Sequence, residues 1–348
     1  NEISVSLTIN GAAVPIMAMY FAMARKRGYE LSGLRGTAQN DILKEFIGRG
    51  TWIFPVEPSM KLVGDTMEFC ARNAPRYSPV SVCGYHIRES GADPAQEMAY
   101  ALAIARAYLD HAVARGLDVD QVASGISFNF NIHGNLFEQV AKFRAGRRLW
   151  AHIVRDEYGA KKPRSQQLRM IAGGGGGGLT IEQPENNIVR GAYYALISAL
   201  SGTQTMALCC YDEAYTIPTE YSARISLRTM QILMDEIGLC DTVDPLAGSY
   251  FIETLTNEME AKMVTIMAEL DAEGGIVAGV ASGAVQASVN RKAYERERKQ
   301  QSGAVKKVGV NCYQDDEAAA QHIEFHPYRE QEAETQCQRL AQVKQQRD

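Results

Sequence analysis

Short apolar runs alternate along this chain with longer stretches whose apolar residues recur every three to four positions. The short runs predict strands over residues 3–9, 34–38, 80–83, 126–131, 168–172 and 205–209. Between them lie amphipathic helices. In the stretch 94–115, Met98, Leu102, Ala105, Leu109 and Ala112 share one face, and similar patterns cover 136–155, 184–200 and 220–237. Strands separated by helices argue for a parallel sheet, and the number of units favours a closed barrel over an open sheet. The fold class expected is α/β, a TIM-type (β/α)8 barrel of which about six of the eight strand–helix units are visible. The chain opens at Asn1, without a methionine and inside a strand pattern, so the two remaining units are expected upstream.

The pattern changes after Gly248-Ser249-Tyr250. Two helical stretches, 253–273 and 277–295, are followed from Arg296 by a polar, charge-rich tail with little periodicity. The division expected is a partial (β/α)8 barrel over 1–250, a helical extension over 251–300 and a linker or partner-wrapping tail over 301–348, with a solvated extension as the alternative for the tail. The 348 residues, 46% hydrophobic and 22% charged, are ordinary for a soluble protein. A net charge of −5 and a pI near 5.8 leave no basic footprint for nucleic acid or an anionic membrane. No apolar run approaches the length of a membrane span. Seven cysteines form no metal spacing and read as reduced thiols, which places the protein in the cytoplasm or an organelle matrix and makes a metal site unexpected.

Candidate chemistry concentrates at Ser81-Val82-Cys83-Gly84-Tyr85-His86. An apolar run closes on a glycine and then presents a tyrosine and a histidine before a helix begins. Parallel α/β proteins build their active sites from the first polar side chains beyond a strand's carboxyl end. His86 is therefore a candidate acid, base or hydrogen-bond donor, against the alternative of a core histidine bonded to a carbonyl.

Six blocks in order carry a family resemblance: residues 40–46 (NDILKEF), 54–61 (FPVEPSMK), Gly84-Tyr85-His86, 144–151 (RAGRRLWA), 186–190 (NNIVR) and 244–250 (DPLAGSY). Together they resemble the large, substrate-binding part of methylmalonyl-CoA mutase and its relatives. The resemblance implies a TIM-type barrel that threads an acyl-CoA along its axis and caps a cobalamin held on a separate domain. It also implies adenosylcobalamin as cofactor and a radical migration of the carbonyl-CoA group to a neighbouring carbon, the protein supplying orientation and exclusion of water.

By the same resemblance His86 is the donor to the migrating thioester carbonyl, with Tyr85 beside it. Thr37 and Gln39 are substrate residues. Arg49 pairs with the free carboxylate, a task suited to a guanidinium fork, although the bland reading of Arg49 is a surface helix charge. Arg76 stands where the family has a lysine next to the substrate. Ser127 keeps the serine of a segment near a CoA phosphate, while Gly125 has lost its arginine. Glu213 matches a carboxylate near the cobalamin and adenosyl group. Met170-Ile171-Ala172 and the run Gly173 to Gly178 fall where the family places a polar His-x-Gln-Thr-Ser-Gly-Trp loop against the cofactor, so Gly173, Gly174 and Gly175 are the cofactor-side candidates. Met206-Ala207-Leu208-Cys209-Cys210 likewise replaces a polar stretch.

Three readings of the glycines stay open. A glycine turn cradles phosphate, but the lysine and Ser/Thr of a P-loop are missing. The run could mark a site that has lost catalysis, or small residues that widen the cavity for a bulkier acyl substituent. The last is preferred because Gln39, Arg49, Tyr85, His86 and Glu213 are kept together. Nothing resembles a cobalamin-binding domain, and His322 and His326 lie in the charged tail outside any such pattern. The partners expected are thus an acyl-CoA and a small cobalamin-binding subunit or domain, in a hetero-oligomer, with no nucleic acid and no membrane. The alternative function is a non-catalytic structural subunit of such a mutase. A barrel enzyme unrelated to cobalamin would want a lysine at a strand end, and none stands out.

Overall fold

The computed structural model describes residues 3–314 and 325–347; His322 lies outside them. Seven short strands follow one another: β1 (Val5–Leu7), β2 (Gly36–Ala38), β3 (Tyr77–Ser78), β4 (Ser81–Cys83), β5 (Ser127–Asn131), β6 (Met170–Gly173) and β7 (Thr205–Ala207). All pair in parallel, β1-β2-β3 in one ladder and β4-β5-β6-β7 in the other. β3 and β4 are two halves of one strand broken at Pro79, which has no N–H to give a ladder. The pairing carries on across the break. The Ser81 N–H donates to the Gln39 carbonyl at 2.9 Å, and the Ser127 N–H to the Val80 carbonyl at 3.3 Å. The result is an arc of six parallel strand positions in sequence order, the predicted partial barrel. It is not closed among the described residues.

Helices cover one face of the arc: α1 (Ala13–Lys26), α2 (Ile42–Lys44) running on into a π-helical turn (Glu45–Arg49), α3 (Val56–Asn73), α4 (Gly84–Glu89), α5 (Pro94–Val113), α6 (Val119–Gly125), α7 (Leu136–His152), α8 (Asn186–Leu200) and α9 (Glu220–Asp235). The start of α5 follows from its sequence, since Asp93 and Gln96 form a reciprocal capping box with Pro94 at the first helical position. Strand alternation sorts the side chains. Val82, Phe128, Phe130, Met170 and Ala172 are buried beneath the helices, with the Phe128 ring edge-on to Trp150 at 5.1 Å. The other face carries Ser6, Thr37, Ser78, Ser81, Ser127 and Asn129, all at least partly exposed. A TIM-barrel interior is normally filled by branched apolar side chains. Here that face, the lumen side of the arc, is mostly small and polar, with the branched Ile171 beside Asn129.

The expected helical extension is longer and more broken than its pattern. It forms α10 (Tyr250–Ala272), α11 (Gly275–Ser282) and α12 (Ala284–Gln301), divided at Gly274 and Gly283, both at positive φ. α10 buries Met259, Met263 and Met267 with Leu270 in the same core as α5 and α7. Arg144–Glu253 (2.6 Å) and Arg106–Asp271 (2.9 Å) flank that contact. The tail, read from Arg296 as unpatterned, is partly helical: α12 continues through Gln301, and α13 spans Glu330–Gln346 with every residue exposed. Its Glu- and Gln-rich composition has good intrinsic helix propensity, and its thin apolar stripe of Ala333, Cys337, Leu340 and Ala341, at helical spacing, was passed over. No helix among the described residues is long and apolar enough to cross a membrane.

Candidate active site at the carboxyl ends of the strands

The turn after β2 is held by a buried polar network. Asn40 sits at φ 44°, an uncommon conformation that its amide secures by donating to Thr66 Oγ1 (2.8 Å) and the Pro79 carbonyl (3.0 Å). Asp41, fully buried, accepts from the Cys83 N–H (2.7 Å) and the Tyr108 hydroxyl (2.7 Å), tying the ends of β2 and β4 together. Burial pushes its carboxyl pKa up, against those donors. Lys44, also buried, pairs with Glu45 at 2.5 Å and donates to Gln39 Oε1 at 2.7 Å. Asn10 Nδ2 donates to the same oxygen at 2.9 Å.

The π-helical turn then brings Arg49 to His86. Gly48 makes this approach possible, because a Cβ there would lie 2.7 Å from the His86 carbonyl oxygen, and Ser90 Oγ donates to the Gly48 carbonyl at 3.0 Å. π-helical insertions of this kind recur at functional sites. Arg49 Nη1 stands 3.2 Å from His86 Nε2, and His86 Nδ1 stands 3.2 Å from Cys83 Sγ. Burial, with Lys44 and Arg49 nearby, lowers the His86 pKa to about 3, so the imidazole is neutral at pH 7. The Cys83 thiol, pushed up by burial to about 12, stays protonated.

A second group forms where the β6 and β7 loops meet. The Tyr85 ring lies edge-on to His86 at 5.2 Å and its hydroxyl donates to Cys209 Sγ. Glu213, Tyr85 and Cys209 converge on Gly176: a Cβ there would lie 3.5 to 3.8 Å from all three. Burial, then Asp212 and Glu89, raise the Glu213 pKa. The glycine run is ordered, with a short 3-10 turn at Gly176–Gly178. Side chains are excluded from most of it. A Cβ at Gly174 would meet Leu208 Cα at 2.7 Å and the Ala207 carbonyl oxygen at 2.9 Å. Gly175 is at φ +65° with His133 Cβ 2.9 Å from where its own would be. Gly173 and Gly178 are overlain by Tyr85 and Tyr194. The room expected from these glycines is thus occupied by neighbouring backbone, rings and, at Gly177, the Glu89 carboxylate, and only at Gly176 would a Cβ meet no more than ordinary contacts.

The structure therefore brings Gln39, Arg49, Tyr85, His86, Glu213 and Gly173–Gly175 to one end of the strands. Thr37 faces the lumen in mid-strand. Arg76 and Ser127 lie at the opposite end, Arg76 exposed just before β3 and Ser127 opening β5. Arg35 and Arg169 hold equivalent places before β2 and β6. These two were missed, although an arginine immediately ahead of three strands is legible in the sequence. Asn10, Lys44 and Cys83 were also missed as site residues. Their role comes from contacts between β1, β2 and β4 that no local pattern shows. A hollow of about 550 Å³ between α1 and α3, lined by Met17, Phe21 and Phe69, lies on the helical shell away from this chemistry. No cluster of potential metal ligands occurs among the described residues.

A parallel barrel arc with its polar chemistry at the strands' carboxyl ends is the plan of a TIM-type enzyme subunit. The sequence model for methylmalonyl-CoA mutase matches residues 1–348, and the chain belongs to that family. It is 41% identical to the 2-hydroxyisobutanoyl-CoA mutase large subunit of Aquincola tertiaricarbonis, over all of this chain and 62% of that protein. It is 43% identical to the methylmalonyl-CoA mutase of Cereibacter sphaeroides and 39% identical to the mitochondrial enzyme of Homo sapiens, over 90% of this chain and 44% and 42% of those proteins. The chain thus spans between two-fifths and two-thirds of the length of these relatives.

Proposed function

We propose that this chain is the acyl-CoA-binding catalytic part of an adenosylcobalamin-dependent mutase that rearranges a methylmalonyl-CoA/succinyl-CoA type ester, working with a small cobalamin-binding subunit or domain in a hetero-oligomer. The observation that carries the reading is the Arg49–His86 pair, one cation and one neutral imidazole 3.2 Å apart at the mouth of a small-residue lumen. A free carboxylate would meet the guanidinium, and the adjacent thioester oxygen would meet the imidazole. The lumen gives the pantetheine arm a path along the strand face of Ser81, Ser127 and Thr37. From Ser127 to Asn131 that path is about 13 Å at the usual strand rise. Arg35, Arg76 and Arg169 at the far end suit the CoA phosphates.

Two features of the mouth fit the cofactor. Gly176 and Gly177, the two loop glycines that reach the surface, suit the close approach of a flat macrocycle, and the Glu213 carboxyl beside Gly176 suits a ribose hydroxyl. When bound, adenosylcobalamin supplies reversible radical chemistry. The protein's own part is positional: Arg49 fixes the carboxylate, and Gln39 and His86 fix the thioester. A hydrogen bond to the carbonyl oxygen as its charge changes is worth most in such a partly dehydrated site. The packed glycine loop and Tyr85 keep water from the reacting carbons.

The relatives' names bracket two substrate types, since methylmalonyl-CoA has a free carboxylate and 2-hydroxyisobutanoyl-CoA has none. Arg49 on His86 favours the first. The test combines the complete protein, its cobalamin-binding partner and adenosylcobalamin with methylmalonyl-CoA, 2-alkylsuccinyl-CoA, 2-benzylsuccinyl-CoA and 2-hydroxyisobutanoyl-CoA. Rearrangement of a carboxylate-bearing ester that is lost in Arg49→Ala and His86→Ala supports the reading. Turnover of 2-hydroxyisobutanoyl-CoA alone refutes the carboxylate assignment, and a stable complex with no turnover indicates a structural subunit.

A further inference from the structure

His86 is met from both sides. Arg49 Nη1 is always a donor, so at 3.2 Å the Nε2 atom must offer its lone pair. A neutral imidazole then carries its proton on Nδ1, which faces Cys83 Sγ at 3.2 Å. The other approach to that sulfur is the Gln39 amide, with Nε2 at 3.7 Å. Its orientation is forced, because Oε1 accepts from both Lys44 Nζ and Asn10 Nδ2. Asn10 is fixed in turn, since its Oδ1 accepts from the Asp41 N–H at 3.0 Å. The donors therefore run inward from Lys44 and Asn10 through Gln39 to Cys83, and from Arg49 through His86 to the same sulfur.

We infer that Cys83 is a positioning residue that stabilises whichever tautomer of His86 Arg49 selects, accepting from Nδ1–H while Arg49 sits on Nε2 and donating to the bare Nδ1 once Arg49 leaves. In the first form the sulfur accepts from Nδ1–H. In the second, the proton has moved from Nδ1 to Nε2 by exchange with water, and the S–H turns to donate to the bare Nδ1. Proton count and charge are the same in both. A thiol both donates and accepts, so one residue serves either form. The consequence rests on the function proposed above: a substrate carboxylate that draws Arg49 away turns His86 from an acceptor into a donor for the thioester oxygen. An ester without a carboxylate leaves His86 an acceptor.

The experiment is ¹⁵N NMR of the histidine-labelled complete protein. This chain holds six histidines, and His86→Gln assigns the signal. Without ligand, His86 is expected as the Nδ1–H tautomer. Arg49→Leu, still without ligand, is expected to shift it mostly to Nε2–H, and Cys83→Ala in the Arg49→Leu background to return a mixture. Cys83→Ser is expected to behave as the parent. Nε2–H in the unliganded parent, or the same tautomer with and without Arg49, overturns the inference, as does a Cys83→Ala variant that matches the parent in both backgrounds. Succinyl-CoA is expected to mimic Arg49→Leu, and butyryl-CoA to leave the parent signal unchanged. Equal shifts from the two esters overturn the coupling to the carboxylate. If neither ester binds by calorimetry, the proposed function fails and the coupling with it, while the unliganded arms still decide the role of Cys83.

Discussion

The two sides of the site are built by opposite means. At the ends of β2 and β4, Gln39, Asp41, Lys44 and Glu45 are buried and bonded to one another, so charge and hydrogen-bond direction set the geometry. At the ends of β6 and β7, backbone lies on backbone, and the Gly174 N–H donates to the Ala207 carbonyl at 2.6 Å. Sterics set the geometry there. The lesson is that one side of the mouth is fixed by charge and the other by packing, so the two depend on different forces and one can change without the other.

The largest predicted effect strikes the polar side. Lys44→Ala leaves Glu45 buried without its partner and is expected to cost about 3–5 kcal/mol of stability, read from the urea midpoint. Next, Arg49→Ala and His86→Ala are each expected to lower mutase turnover by roughly 10²–10³-fold, the usual loss of one aligned electrostatic partner, with stability nearly unchanged because both side chains reach the mouth. An equal loss of stability would place them in the folding network instead.

Within the glycine loop the comparison sharpens. Gly174→Ala forces a methyl against Leu208 and Ala207 and is expected to cost about 1–3 kcal/mol. Gly176→Ala meets only ordinary contacts and is expected to stay within about 0.5 kcal/mol of the parent while altering the affinity for cobalamin. If both variants are equally stable, steric packing does not set the loop.

Near neutral pH the smallest effect is the titration of His86. Its folded pKa, about 3, lies below the ordinary histidine value of 6.5. The unfolded chain therefore binds the extra proton first, and stability from the neutral imidazole is complete above pH 6.5 and is lost as the pH falls towards 3. His86 resonances are expected not to titrate between pH 5 and 8. Removing Arg49 takes away one cation, the smallest of the three causes, and is expected to raise the His86 pKa only slightly.

Much of this was legible in the chain. Strand and helix alternation showed the six barrel strands, all but the one broken at Pro79 shorter in the structure than their apolar runs, and the family resemblance marked Gln39, Arg49, Tyr85, His86 and Glu213 as candidates before any contact was known. The Pro79 break was not legible as a single bent strand, because its continuity lies in hydrogen bonds to Gln39 and from Ser127. α13 was missed because its apolar stripe, Ala333, Cys337, Leu340 and Ala341, is thin and set among Glu and Gln.

By itself the sequence determined the class of elements, the family and the candidates for reactive groups, since periodicity and residue chemistry are local. Only the tertiary structure decided the direction of the donors around His86 and the meaning of the glycines. A hydrogen bond between Asn10 and Gln39, or the close approach of Gly174 to Leu208, joins residues about thirty apart in the chain. Such distances depend on how three dimensions close on one another, and no linear pattern encodes them.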